Sequence, residues 1–159
     1  KDSLLMWSHY SKNHKGFCVE YDLDLINENT KEELILPVCL LFPITYSKKR
    51  VFMPNNLHKV FLNYKKNNNV TKDYFIKYIN SFLYKSSVWD YEKEWRMFAS
   101  LADKENKIYF PFIKSVYLGA CIDDEAKNKL MIIAEKHNWN VYQMYMLPDK
   151  YELAYYKVI

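Results

Sequence analysis

Residues 115–147 read SVYLGACIDDEAKNKLMIIAEKHNWNVYQMYML, and they carry the clearest signals of secondary structure in the chain. The apolar run at 115–118 predicts a strand that ends at Gly119, and the run at 141–147 predicts another. Between them, residues 123–137 carry acidic residues in the first turn and basic residues in the last, as an amphipathic helix does. The stripe predicted for the buried side of this helix consists of Ala126, Leu130, Ile133, Ala134 and His137.

Further strands and a helical middle are predicted on the N-terminal side of this stretch. Alternating apolar and polar residues predict a strand over 15–23, and an apolar run over 34–46, interrupted by two prolines, predicts one or two more. Aromatic and aliphatic residues at helical spacing indicate a helical middle at about residues 55–84. A short helix is predicted at residues 4–11, and the remaining strands are predicted at 94–100, 108–110 and 152–159.

These elements together predict an α+β fold. Strand runs outnumber helices, and the last two strands should form an antiparallel hairpin, which argues against a doubly wound sheet. A chain of 159 residues has the length of one ordinary domain. We therefore expect a single domain over residues 1–159 with a mixed, mainly antiparallel sheet.

Composition argues against several classes of partner. Lys and Arg total 23 against 19 Asp and Glu, and only two of the basic residues are arginine, so the charge does not indicate nucleic-acid binding. Many Lys, Asn, Ile and Tyr residues are typical of A/T-rich coding sequences, so lysine-rich stretches receive no functional weight. The sequence has neither a run of about 20 apolar residues nor a signal-peptide pattern, so we expect a cytoplasmic protein with no membrane partner.

The three cysteines are Cys18, Cys39 and Cys121. They lack the spacing of a zinc site, so no metal is assigned. We expect them to be buried, reduced thiols.

Residues 7–18, WSHYSKNHKGFC, form a first motif, the N-terminal motif, which holds two of the four histidines. His9 could bind a ribose hydroxyl, act as a general acid or base, or anchor the loop. The structural alternative makes Trp7 and Tyr10 core aromatics and His9 a hydrogen-bonded buried side chain. His14 is expected to face solvent.

The two glycines of the chain mark turns. Gly16 is expected to supply a positive φ where the loop enters its strand. Gly119 lies near the end of the run at 116–120, VYLGA. This run resembles a phosphate-binding turn only superficially, because it lacks the GxGxxG and GxxxxGK[ST] patterns. The acids at 123–125 also place negative charge where a phosphate would lie. We interpret this run as a structural strand-to-helix turn.

Residues 89–96, WDYEKEWR, form a second motif, in which charged residues alternate with large aromatics. Such a mixture is costly to pack unless the charges pair or face a cleft. If Glu94 begins a strand, it shares a face with Arg96, whereas in a helix Glu92 would pair with Arg96 instead. The resulting carboxylate–guanidinium pair is either a structural ion pair or a working carboxylate held in place by Arg96.

The segments MWSHY (6–10), HKGFCVEYD (14–22), WDYEKEWR (89–96) and VYLGA (116–120) resemble, in order and spacing, the bacterial family of domain of unknown function 2971, DUF2971. The resemblance covers nearly the whole chain. Members usually begin with a further strand and helix that this sequence lacks, so we expect it to be the later part of a longer protein. The family implies no settled activity.

Three functional hypotheses follow. The favoured one is a non-catalytic module, in a defence or toxin–antitoxin setting, whose cleft binds a small ligand or a protein partner. The family's layout also resembles ADP-ribosyltransferase-like domains, which implies NAD as cofactor, Glu94 as the catalytic carboxylate, and Tyr10 or Tyr91 stacking on nicotinamide. A third hypothesis is a hydrolase or nuclease that uses His9 and Glu94.

The candidate site combines the two motifs, which we expect to meet in one cleft. No cofactor is assigned beyond the NAD of the transferase hypothesis. The candidate catalytic residues are Glu94, His9 and Arg96, and the candidate ligand-binding residues are Trp7, Tyr10, His14, Tyr91 and Glu92.

Overall fold

The computed structural model describes residues 2–22, 40–50, 80–98 and 112–159. The chain divides into two compact units, which we name by their place in the sequence. The terminal unit comprises Lys1–Leu36 and Glu105–Ile159, and the central unit comprises Pro37–Lys104. Both helices and strands are present, so the α+β class is confirmed, whereas the single domain over residues 1–159 stays a prediction.

The elements follow one another in this order: α1 (Leu4–Tyr10), β1 (Phe17–Tyr21), β2 (Leu40–Pro43), β3 (Thr45–Ser47), β4 (Tyr84–Ser86), a 3₁₀ helix (Ser87–Glu92), β5 (Trp95–Phe98), β6 (Ile113–Leu118), α2 (Asp124–His137), β7 (Asn140–Met146) and β8 (Leu153–Lys157). No helix among these described residues is long and apolar enough to span a membrane.

The terminal unit is built on a four-stranded sheet in the order β1-β6-β7-β8. Strands β6 and β7 are parallel and are connected through α2, while β1 and β8 flank them in antiparallel pairs. This arrangement confirms the strand–helix–strand prediction and the closing hairpin. The sheet is mixed and mainly antiparallel, as expected.

Helix α2 begins and ends with caps that its sequence supplies. The Asp123 carboxylate accepts a hydrogen bond from the Ala126 N–H at 2.8 Å, and Asn138 ends the helix in the left-handed region at φ 56°. The predicted stripe is correct at Ala134, which is fully buried, but wrong at Ile133, which is 45% exposed, and at His137, which is also exposed.

Ile133 and His137 are exposed because the predicted stripe was rotated away from the centre of the buried face of α2. At about 100° per residue, that centre falls near Lys127, Leu130, Met131 and Ala134, so positions 133 and 137 lie at its margin. Leu130 and Met131 accordingly pack beside the core that Ala134 forms with β6 and β7.

The opposite face of the same sheet is covered by α1. Ser3 caps this helix, and Trp7 is buried against Tyr117, Met144 and Leu153. Alternation along β6 explains the two cores, because Tyr117 points toward α1 while its neighbours Val116 and Leu118 point toward α2.

The described residues of the central unit, 40–50 and 80–98, form two strand pairs. Strands β2 and β5 are antiparallel, and β3 and β4 are parallel. The predicted strand at 94–100 is confirmed as β5, and the apolar run at 34–46 gives β2 and β3 with the break at Ile44. Most of the predicted helical middle and the predicted strand at 108–110 lie outside the described residues.

Candidate functional site

The N-terminal motif is only partly built as the sequence suggested. Trp7 is a core residue, as expected, but Tyr10 is 62% exposed and His9 is exposed as well. The structural alternative, which made Tyr10 a core aromatic and His9 a buried side chain, was therefore wrong for these two residues. Helix α1 is only seven residues long and turns a single face to the sheet, the face that carries Trp7.

A left-handed turn follows α1. Lys12, Asn13 and His14 have φ values of 51°, 56° and 64°, a conformation that costs L-residues about 1–2 kcal/mol each. Hydrogen bonds hold the turn, including one from the Asn13 N–H to the Ser8 carbonyl at 3.1 Å. Neither glycine has a positive φ, so the prediction for Gly16 was wrong, because the residues before it make the reversal.

The turn is fastened to the end of β6 by backbone hydrogen bonds. The Cys121 N–H donates to the His14 carbonyl at 2.9 Å, and the Gly119 N–H donates to the Gly16 carbonyl at 2.9 Å. We call residues 12–16 and 119–121 the latch. A Cβ on Gly119 would lie 2.1 Å from the His14 carbonyl oxygen, so only glycine fits there. The run at 116–120 thus has the structural role expected of it.

Two side chains of this region differ from the sequence expectations. His14 is half-buried where a solvent-facing ring was expected, and its Nδ1 is buried without a hydrogen-bond partner. Cys18 and Cys121 are exposed thiols, although the sequence suggested burial, because β1 lies at the edge of the sheet and Cys121 lies in the latch.

We expect His14→Gly to raise the free energy of unfolding by about 0.5–1 kcal/mol, although it removes a side chain. Glycine adopts a φ of 64° without steric cost, and the substitution removes the unpartnered Nδ1. Urea denaturation measures the change. Lys12→Gly is the control, because Lys12 shares the left-handed backbone but its side chain is exposed. A clear loss of stability in His14→Gly alone would show that packing of the imidazole outweighs both gains.

Three charged side chains of the second motif meet Lys85 of β4 in the central unit. We call Lys85, Glu92, Glu94 and Arg96 the charge network. The Arg96 Nε donates to Glu94 Oε1 at 2.6 Å, and Arg96 Nη2 and Lys85 Nζ donate to Glu94 Oε2 at 3.3 and 3.0 Å. Lys85 also pairs with Glu92, whose side chain is only 3% exposed. Both oxygens of Glu94 are therefore held by cations.

Local backbone geometry explains which carboxylate pairs with which cation. Glu94 immediately precedes β5, so it shares a face with Arg96, and the strand alternative is confirmed. The helical pairing of Glu92 with Arg96 is not formed, because Lys93 turns the chain at a φ of 47° and directs Glu92 to Lys85.

Backbone contacts fix the charge network in position. The Glu94 N–H donates to the Tyr46 hydroxyl at 2.8 Å, and the Glu94 carbonyl accepts from the Ile44 N–H at 2.9 Å. Arg96 Nη1 donates to the Phe82 carbonyl. Glu94 is thus anchored through its main chain as well as through its carboxylate.

The charges shift one another's pKa values in the direction that favours ionisation. Hydrogen bonding to Arg96 is the main cause that lowers the pKa of Glu94, and the bond to Glu92 is the main cause that raises the pKa of Lys85. The pKa of Arg96 is raised, chiefly by its bond to Glu94. Glu94 is therefore ionised at neutral pH, and it is a weak base and a poor proton donor.

Two aromatic side chains lie beside the network. Lys85 Nζ is 5.5 Å from the ring centroid of Trp89, a cation–π geometry. Trp89 and Tyr91 have ring centroids 6.0 Å apart, and Tyr91 is half-buried. Tyr91 therefore contributes to the aromatic flank of the network.

A pocket of about 490 Å³ opens in the same unit, within the usual size range of small-molecule sites. The described residues that line it are Ser47, Lys48, Lys49, Arg50, Ser81, Tyr84, Lys85 and Ser86. Lys85 thus belongs both to the charge network and to the pocket wall.

The structure brings together part of the predicted site. Glu92, Glu94 and Arg96 meet in the central unit, with Tyr91 beside them. Trp7, His9, Tyr10 and His14 belong to the terminal unit. That the two motifs share one cleft stays a prediction. Among the described residues, no group of three or more His, Cys, Asp or Glu could hold a metal ion.

Sequence reasoning missed Lys85, Tyr46 and the basic run at 48–50. Lys85 was missed because a lysine in a lysine-rich sequence carries little functional signal. Tyr46 was missed because it lies 48 residues from its partner Glu94, so no local pattern joins the two. One signal was available, because SKKR at 47–50 is a basic cluster that contains one of only two arginines.

Comparison with known proteins gives one match. The model of the family described as "Protein of unknown function (DUF2971)" matches residues 6–97. The matched range contains both the N-terminal motif and the second motif. Neither the curated proteins nor the solved structures include a significant match to the chain.

Proposed function

We propose that this chain, which belongs to the DUF2971 family, is a ligand-binding module and not an enzyme. The observation that carries the proposal is the position of Glu94, the carboxylate that both enzymatic hypotheses require. Arg96 and Lys85 hold both of its oxygens at 2.6–3.3 Å, and its main chain is bonded to Tyr46. A carboxylate so engaged stabilises structure.

The enzymatic hypotheses receive less support from this geometry. In a transferase, Glu94 would have to turn toward the ribose of NAD, which would cost its bonds to two cations. In a hydrolase or nuclease, Glu94 and His9 would exchange protons with substrate, and the lowered pKa of Glu94 makes it unsuited to that role.

In a binding module, the charge network would hold the wall of the pocket in place. The network ties β4, the 3₁₀ helix and the start of β5 together through side-chain bonds. Lys85 is part of the pocket wall, so these bonds also keep that wall in a fixed shape. A rigid, preformed wall lowers the ordering cost of binding a ligand.

The proposal includes a bacterial, cytoplasmic setting. Cys18 and Cys121 are exposed thiols, and such side chains persist in a reducing compartment. This observation supports the cytoplasm over an oxidising compartment.

An assay of NAD consumption tests the proposal against the transferase hypothesis. The chain and its Glu94→Gln variant are incubated with NAD, and nicotinamide release is followed. We expect no release by either protein above the buffer rate. Glu152→Gln is the matched control, because Glu152 is an exposed carboxylate in the terminal unit.

The opposite result would be nicotinamide release by the unmodified chain and by Glu152→Gln but not by Glu94→Gln. That pattern would identify Glu94 as a catalytic residue and overturn the proposal. Thermal melting of all three proteins confirms that they are folded, so a loss of turnover cannot be mistaken for unfolding.

A further inference from the structure

We propose that the pocket of the central unit binds a small molecule that carries two or more phosphate groups. This inference rests on the proposed function, because it names the class of ligand that the module holds. The position of the pocket, its charge, its hydroxyl-bearing residues and its size support this class of ligand.

The pocket lies where two parallel strands end. Ser47 and Ser86 are the last residues of β3 and β4 and are register partners across the pair. Residues 48–50 continue directly from β3 into the wall of the pocket. The Lys49 N–H donates to Ser47 Oγ at 3.0 Å, so a local turn fixes the start of this basic run.

The charge of the lining is positive. Lys48, Lys49, Arg50 and Lys85 contribute cations, and no Asp or Glu is among the described residues that line the pocket. Glu92 and Glu94 compensate the charge of Lys85, whereas the side chains at 48–50 are exposed. Three positive charges thus face the pocket, which matches a ligand with several negative charges.

The polar groups favour phosphate over a single carboxylate. Three serines and Tyr84 line the pocket with the basic residues, and a hydroxyl group of this kind can donate to an anionic oxygen. The planar guanidinium of Arg50 can bind two oxygens of one phosphate. A chain of two or three phosphates offers enough oxygens for donors spread over this wall.

The size of the pocket and the side chain of Tyr84 indicate that the phosphates belong to a small molecule with room for an organic group. A volume of about 490 Å³ suits a small molecule. Tyr84 is 40% exposed, and its ring supplies an apolar surface for an organic group attached to the phosphates. Inorganic polyphosphate and a nucleoside polyphosphate share the required chemistry, and the experiment separates them.

Isothermal titration calorimetry of the full chain with sodium tripolyphosphate, ATP and adenosine tests the inference. We expect both phosphate compounds to bind and adenosine not to bind. The Lys49→Gln/Arg50→Gln variant should bind them at least about tenfold more weakly, since it removes two of the three positive charges that face the pocket. Lys136→Gln/Lys150→Gln is the control, because it removes two exposed charges from the terminal unit.

Each outcome has a defined meaning. Equal affinity for tripolyphosphate and ATP supports recognition of the phosphate chain alone, and tighter binding of ATP supports a nucleoside polyphosphate. The inference is overturned if adenosine binds as tightly as ATP, if neither phosphate compound binds, or if both double variants weaken binding equally.

This test is independent of the test of the proposed function. NAD itself carries two phosphates, so binding of NAD without nicotinamide release agrees with both proposals. Nicotinamide release that requires Glu94 would refute the binding module whatever the calorimetry shows. Absence of phosphate binding without NAD consumption would refute only the ligand class.

Discussion

Replacing Gly119 by alanine is expected to lower the free energy of unfolding by about 3 kcal/mol or more. The added Cβ would lie 2.1 Å from the His14 carbonyl oxygen and 2.6 Å from the Gly16 carbonyl oxygen. Both neighbours are backbone atoms held by the latch, so neither can rotate away. Relief of the clash requires breaking the bonds that join residues 12–16 to the end of β6. Urea denaturation followed by circular dichroism measures the loss.

Gly16→Ala is the matched control for this prediction. The Cβ at Gly16 would lie 3.2 Å from Ser11 atoms, a contact that a shift of a few tenths of an ångström relieves. Its expected cost is below about 1 kcal/mol. Equal, small losses in the two variants would show that the latch yields to a methyl group and would contradict the steric account.

The terminal unit could be predicted well because its signals are local. The acids that open α2, the basic residues that close it and the apolar runs of β6 and β7 all lie within residues 115–147. Each strand's period and the helix's caps depend only on neighbours in sequence. The orientation of α2 was less well predicted, because Ile133 and His137 differ from the buried residues only in angle around the helix.

The latch could not be predicted, because it depends on a contact between distant segments. Residues 12–16 and 119–121 are about a hundred positions apart, and backbone hydrogen bonds join them regardless of side-chain type. A glycine in a sequence indicates a backbone constraint, but it does not show whether the constraint is a positive φ or a neighbouring chain that leaves no room for a Cβ. At both Gly16 and Gly119 it is close approach.

The candidate site was predicted in part for a similar reason. Alternation along a strand predicts that Glu94 and Arg96 share a face, and they do. The partner of Glu92 depends on the left-handed backbone at Lys93, which nothing in the residue type of Lys93 indicates. Lys85 enters the network from β4, which begins at Tyr84, the last residue of the predicted helical middle.

Replacing Lys85 by methionine is expected to lower the free energy of unfolding by about 1.5–3 kcal/mol, the usual net contribution of a hydrogen bond to a charged group, because the ion pairs that it breaks are part-buried. Methionine keeps most of the apolar side chain but removes the ammonium that pairs with Glu92 and Glu94. Glu94 retains Arg96, whereas Glu92, only 3% exposed, loses the cation bonded to it. Urea denaturation at pH 7 measures the change.

The choice of pH 7 follows from the direction of the pKa shifts. The pKa of Glu94 is lowered in the folded protein. Its contribution to the free energy of unfolding is therefore complete above the ordinary carboxyl pKa of about 4.3 and is lost as the pH falls through the lower pKa of the folded state. The pKa of Lys85 is raised, so its contribution is complete below about 10.4 and is lost only as the pH rises through the higher, folded value. At pH 7 both contributions are present in full.

The double variant Lys85→Met/Glu92→Gln separates loss of the charge pair from loss of packing. Glutamine removes the charge of Glu92 while preserving the shape of its side chain, so we expect the double variant to regain at least about 1 kcal/mol over Lys85→Met. Lys93→Gln is the control, because Lys93 is exposed and forms an exposed ion pair with Asp90 at 3.9 Å, and it should change stability by less than about 0.5 kcal/mol. If the double variant is less stable than Lys85→Met, the cost comes from packing around Lys85, and the charge network is not what holds β4 to the start of β5.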